Sequence, residues 1–329
     1  MDDVRAAAEA VFRQESGRVL ASLIRISGSF DRAEEAMQES FASALATWPA
    51  SGIPKNPAAW IMTSAHRKLI DAARRDRTRR EKQDALEYET VRGGIQEPVD
   101  DPPMDFPDDR LRLMFTCCHP ALNSEAQIGL TLRTLGGLST AEIAKAFLVP
   151  EATLAQRLVR AKRKIQDARI PYEVPHAERL PERLAAVQAV IYLIFNEGYA
   201  ASSGNELVRS DLCAEAIRLA RVVCELMPDE PENFGLLALM LLHDSRRRAR
   251  VHSGELVTLE DQDRSLWDRA EIDEGLALLD RALLRATAGP YQIQAAISAL
   301  HAQARTPAET DWAQIAALYG KLVDLNSSP

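Results

Sequence analysis

The chain has 329 residues, 46% hydrophobic and 27% charged, with a formal net charge of −8. That length exceeds one ordinary core, so two or three domains are expected, and the composition excludes fibrous and wholly disordered classes. No apolar run approaches the ~20 residues of a membrane helix, MDDVRAAAEA lacks the marks of a signal peptide, and four cysteines without a CxxC pair argue against a disulfide scaffold.

Aromatics make up only 5%, and β-branched residues are scattered without long alternation. Ala, Leu, Glu and Arg lose little on entering a helix, so the fold class expected is all-α. In chain order, 6–49 reads as helices broken at Gly28-Ser29. Asp31 is the expected cap of the second helix, with Ala33, Met37, Phe41, Leu45 and Trp48 as its apolar stripe, and Trp48-Pro49 as its end. A loop leads to a helix from Ala58 to about Arg80, apolar along Trp60, Ile61, Ala65, Leu69 and Ala73 and arginine-rich in its last turns. Residues 84–107 are acidic and rich in Pro and Gly, as in a linker.

The helical pattern resumes at Asp108 and runs through Ala126–Leu135 to Gly136-Gly137. Ser139-Thr140-Ala141-Glu142 forms a capping box for a short helix ending near Phe147. After a turn of about four residues a longer basic helix covers Glu151–Arg169, the helix-turn-helix order. Past a second linker, 181–329 reads as amphipathic helices without basic clustering, the last two at Tyr291–Ala304 and Asp311–Asn326. Helix pairs with a proline-marked turn suggest a tetratricopeptide-like array of loose period, in which a further helix is expected after the chain's last residues.

Charge is unevenly distributed. Residues 61–80 hold seven Lys/Arg against two Asp/Glu, and 157–169 hold six against one. Between them 81–110 carries ten acids and three bases, and 181–329 carries 22 acids and 14 bases. A basic helix anchored by an apolar side suits contact with phosphates, though a run like 59–80 fits a solvated helix face equally well. In the second patch the first residues of the helix, Glu151, Ala152, Ala155 and Gln156, would reach base edges. The later Arg157, Arg160, Lys162, Arg163 and Lys164 would grip phosphate, with an ordinary amphipathic helix pair as the plainer alternative.

Three segments in order, DRAEEAMQESFASALATW, PAAWIMTSAHRKLIDAARR and LSTAEIAKAFLVPEATLAQRLVRAKRKI, resemble bacterial sigma factors of the extracytoplasmic-function group in the sigma-70 family. The first two resemble region 2 and the third region 4, and the remainder, with LIFNEGYAA and LLALMLLHDSRRRAR, resembles the subgroup carrying a tetratricopeptide-like extension. The resemblance implies a region 2 domain at 1–83, an acidic linker at 84–107, a region 4 domain at 108–172 and a helical regulatory extension at 177–329. It implies core RNA polymerase, through its clamp helices and flap, and promoter DNA as partners. An unidentified ligand or protein is expected on the extension. Glu35, Gln38 and Glu39 would dock on polymerase. Trp60, His66, Arg67, Arg74 and Arg75 would serve the −10 element, with Asp71 orienting arginines. Glu151, Ala152, Gln156, Arg157, Arg160 and Lys162 would serve the −35 element. His66-Arg67 stands where the family commonly has Arg-Asn, and Pro150 where many members have a capping Ser. The acidic linker would act in the RNA exit channel as an RNA mimic or serve as a tether. A stand-alone helix-turn-helix regulator with a helical-repeat sensor is the alternative.

No cofactor, metal or catalytic constellation is expected, and the expected location is the cytoplasm without membrane contact. Cys117-Cys118-His119 lacks a second ligand pair at zinc spacing and reads as buried packing, as do Cys213 and Cys224. His243 and His252 read as isolated, and Asn196-Glu197-Gly198-Tyr199 as a helix end with Gly198 in the left-handed cap.

Overall fold

The structure is a computed structural model that describes residues 2–84, 109–199, 210–252, 255–284 and 288–325. Side chains at 76–84 lie outside the description, as does the whole acidic segment 85–108, so the reading of that linker is not addressed by it. The described elements are helical apart from one hairpin of two-residue strands, as the composition predicts.

Helix α1 (Asp2–Ser27) ends at Gly28, whose φ of +64° supplies the left-handed turn. Helix α2 (Phe30–Ser51) is capped by Ser29, whose side chain accepts from the Arg32 amide; Asp31, the expected cap, sits in the first turn instead. Its buried stripe is Ala33, Met37, Ser40, Ala44 and Trp48. Leu45 is exposed because a strict four-residue step rotates away from the core at 3.6 residues per turn. Nor does Pro49 end the helix. It lies inside the last turn, and the chain leaves at Gly52, whose amide donates to the Trp48 carbonyl at 2.9 Å. So close to the end, the missing proline amide costs one hydrogen bond and the helix survives. Helix α3 (Pro57–Asp84) starts on proline at its first position, where no amide is needed.

Two compact units divide the chain. The first comprises Met1–Cys117, Leu130–Ser139 and Val159–Val174. In it α1, α2 and α3 pack on one another, and α4 (Arg110–Cys117) packs on α1. Leu20, Leu23, Trp48, Ile61 and Ala65 are among its buried side chains, and Trp48 meets Trp60 edge to face at 5.5 Å. Ala73, the expected end of the α3 stripe, is exposed. Asp109, 2% exposed, bonds Arg25 at 2.7 Å, which fixes the start of α4 to α1. Gly137 has φ +68°, and a Cβ there would come within 2.8 Å of the Ser16 hydroxyl, so the turn tolerates only glycine.

The second unit comprises Cys118–Gly129, Thr140–Leu158 and Pro175–Pro329. Helices α5 (Ser124–Thr134) and α7 (Glu151–Asp167) contribute to both units, while α6 (Thr140–Ala146) belongs to the second. Six further helices follow: α8 (Leu180–Tyr199), α9 (Ser210–Leu226), α10 (Pro231–Asp244), α11 (Arg269–Leu283), α12 (Pro290–Gln303) and α13 (Trp312–Leu325). Each packs on the next, and α10 also crosses α12. The crossing is close: a Cβ on Gly235 would meet the Gln292 backbone nitrogen at 2.8 Å. Between α10 and α11 lie two 3₁₀ turns, Arg247–Ala249 and Arg264–Leu266, and the hairpin β1 (Val251–His252) with β2 (Glu255–Leu256).

Candidate nucleic-acid interface

On α2 the buried stripe leaves Glu35, Gln38 and Glu39 together on the exposed side, at the three- and four-residue spacing that shares a helix face. Glu39 also lies 3.6 Å from Lys68 of α3. On α3, Arg67, Arg74 and Arg75 are exposed opposite Ile61, Ala65 and Leu69, and Trp60 is half-buried against Trp48. Arg75 donates through Nε to the Asp71 backbone carbonyl at 3.3 Å, so the link between them runs through the main chain rather than the carboxylate. His66 is half-buried. Burial, and then the charge of Arg25, push its pKa below the ordinary histidine value, so it adds no positive charge to this face at neutral pH.

Helices α6 and α7 are joined by Phe147–Pro150, with Leu148 in the left-handed region at φ +49°. That conformation costs a non-glycine residue about 1–2 kcal/mol. Leu154, Leu158, Ala161 and Ile165 bury one side of α7. The opposite side exposes Ala152, Gln156, Val159, Arg160 and Arg163, and Glu151 is exposed at the start. Arg157 lies on one flank, paired with Glu125 at 3.1 Å. On the other flank Lys162 is held by Glu34 at 2.6 Å and Asp31 at 3.3 Å, with only 15% of its side chain exposed. A groove of about 520 Å³ lies alongside, lined by Phe30, Asp31, Val159, Lys162 and Tyr172 among others.

Sequence reasoning missed Val159, whose 64% exposure stands out only once the buried side of α7 is known. It also missed the setting of His243. That residue is not isolated: its ring stacks on Tyr199 at 5.2 Å, and its Nε2 lies 3.0 Å from the Ser298 hydroxyl. Gly198 sits buried within α8, not at a left-handed cap. All four cysteines are buried, and burial pushes the Cys213 and Cys224 thiols up to about 12, so both stay protonated and unreactive. Among the described residues no group of three or more His, Cys, Asp or Glu is placed to hold a metal, and no helix is long and apolar enough to cross a membrane.

Family models match in three places: sigma-70 region 2 over residues 11–80, sigma-70 region 4 over 112–165, and a family of unknown function, DUF6596, over 183–283. An uncharacterized protein of Rhizobium meliloti (strain 1021) is 46% identical over 318 residues, covering 95% of this chain and 74% of that protein. No solved structure matches the chain. The region 2 match covers the exposed cations of α3 and the region 4 match covers α6, the turn and most of α7. The chain belongs to the sigma-70 family and is a sigma factor, which binds core RNA polymerase and recognises promoter DNA.

Proposed function

We propose that the chain is a sigma factor of the extracytoplasmic-function group whose C-terminal, tetratricopeptide-like extension sets its activity. The domains are taken as region 2 at 1–83, the acidic linker at 84–107, region 4 at 108–172 and the extension at 177–329. Glu35, Gln38 and Glu39 dock on polymerase. Trp60, His66, Arg67, Arg74 and Arg75 form the −10 surface, His66 as a neutral hydrogen-bonding group. Glu151, Ala152 and Gln156 read base edges at −35, while Arg157, Arg160 and Lys162 hold phosphate. Val159, exposed between Gln156 and Arg160, adds an apolar contact suited to a thymine methyl. The chemistry of RNA synthesis belongs to polymerase.

The observation that carries this reading is the two-sidedness of α2, α3 and α7. Each buries an apolar stripe and exposes most of its candidates (Glu35, Gln38 and Glu39, then Arg67, Arg74 and Arg75, then Gln156 and Arg160), while Trp60, His66 and Arg157 are half-buried and Lys162 is held in an ion pair. Run-off transcription with core polymerase from promoters near the protein's own gene tests it. The Glu35→Ala/Gln38→Ala pair is expected to weaken polymerase binding, and Arg74→Ala/Arg75→Ala to lower transcript at least about tenfold with polymerase binding intact. Specific duplex binding by the chain alone, with no transcript in the presence of polymerase, would favour a stand-alone regulator.

A further inference from the structure

Three arginines of the C-terminal unit converge on two aromatic rings. Arg246 and Arg250 flank the first 3₁₀ turn after α10, and Arg264 opens the second. The Arg250 guanidinium lies 3.5 Å from the Tyr199 ring centroid. Those of Arg264 and Arg246 lie 4.5 and 5.9 Å from the centroid of Trp267. Arg246 also donates to the Tyr199 hydroxyl at 3.2 Å, which ties the two rings into one cluster.

Among the described residues no carboxylate is bonded to these arginines; the electrostatic answer is Glu309, whose charge acts on Arg264 from a distance. Arg250 donates to the Tyr199 carbonyl, and Arg264 donates to the His301 and Ala304 carbonyls at 2.6 Å each. With the Tyr199 hydroxyl, every acceptor is neutral, and among the described residues none of the three arginines forms an ion pair. Arg247, in the same run, pairs with Asp244 at 2.9 Å, so the unit has used a carboxylate where it needed one. Moreover, Arg246 Nε, Arg264 Nε and the indole Nε1 of Trp267 are shielded from water without an acceptor, and Trp267 is only 4% exposed. All three are donors. Buried donors ordinarily find partners, yet these three are left over around one ring, and unpartnered acceptors of the same unit, among them Asp244 Oδ1, Gln262 Oε1 and Glu271 Oε2, form no bond with them. His243 beside the cluster is held neutral, its pKa drawn down to about 3 first by burial and then by the charges of Arg246, Arg250 and His301.

We propose that this cluster binds a phosphate group, free or carried on a small molecule. Donors on three side chains that approach from separate segments match a tetrahedral anion with several oxygens better than a planar carboxylate, which one guanidinium fork satisfies. The arginines are half-buried among aromatic rings rather than spread along an exposed stripe, which suits a compact ligand and not a nucleic-acid backbone. The proposal is independent of the promoter-binding role.

Calorimetry and thermal unfolding of the full chain decide it, with inorganic phosphate, ATP and citrate as probes at matched ionic strength in chloride. Saturable binding of phosphate or ATP is expected, with an unfolding temperature that climbs with the logarithm of ligand concentration above Kd. Tighter binding of ATP than of phosphate identifies an organic phosphate. Arg246→Gln is expected to weaken binding about tenfold or more, and Lys321→Gln on α13 to leave it unchanged. If Arg246→Gln unfolds, Arg250→Gln takes its place. No saturable response in the wild-type chain, equal binding of citrate, or undiminished binding by a folded arginine variant would overturn the proposal.

Discussion

At the scale of single residues, the C-terminal unit keeps several ionisable groups partly or wholly withdrawn from water. Glu271 on α11 has its pKa raised from 4.5 to about 7, first by burial and then by the charges of Asp244, Asp268 and Glu274, against the opposing Arg247. The folded chain therefore holds a proton that the unfolded chain releases. The stability contributed by Glu271 is complete below about pH 4.5 and is lost as pH rises through about 7. His243 works the other way. Its depressed pKa contributes stability above the ordinary histidine value that is lost as pH falls toward about 3. The net slope mixes the two, so the informative quantity is the difference between wild type and Glu271→Gln. That difference is expected to favour the wild type at pH 5 relative to pH 8, with the variant the more stable of the two at pH 8. Parallel unfolding curves at both pH values would remove Glu271 from the account. None of this was legible in the sequence. The expectation that 181–329 lacks basic clustering overlooks SRRRAR at 245–250; even with that run noticed, Tyr199 lies 47 residues before Arg246, and its partners Arg264 and Trp267 follow a hairpin too short to show alternation.

At the scale of elements, periodicity located the helices well and their ends less well. The final pair, at Tyr291–Ala304 and Asp311–Asn326, appears as Pro290–Gln303 and Trp312–Leu325. Misplaced ends came from local competition: Ser29 outcompeted Asp31 as cap, and Pro49 fell so late in α2 that little was left to break. The polar side of α7 was legible as a face, but its partners were not, because Asp31 and Glu34 lie about 130 residues away. The contact has a consequence. The Lys162 ammonium is already engaged by two carboxylates, and Glu34 is only 16% exposed, so any phosphate contact by Lys162 requires that pair to open. A partly buried pair should show a coupling of about 1 kcal/mol in a Glu34→Gln/Lys162→Gln double-mutant cycle read by urea unfolding. Glu34→Gln alone should also raise the affinity of the free chain for duplex DNA, and Lys162→Gln should lower it. Coupling below about 0.3 kcal/mol would mean that the pair holds nothing in solution.

At the scale of the whole molecule, the C-terminal array shares a compact unit with part of the helix-turn-helix. Residues 118–129 and 140–158, with α6 and the front of α7, cluster with 175–329. His119 is close enough to Arg179 and Arg183 that, after burial, their charges depress its pKa further. Read segment by segment, the sequence implies a separate helical regulatory extension at 177–329. The shared unit bears on that separation, although no described helix of the array packs extensively on α6 or α7, so the dependence runs through the short stretch that joins them and through His119 with Arg179 and Arg183. The truncated chain is therefore expected to lose amide-exchange protection across 140–158 and to give less transcript, not an unregulated excess. Full protection together with transcript at or above the level of the intact chain would show that the array acts only as a detachable brake. Loss of both would make the array a structural support of α6 and the front of α7, so that its effect on transcription would run through the stability of those helices.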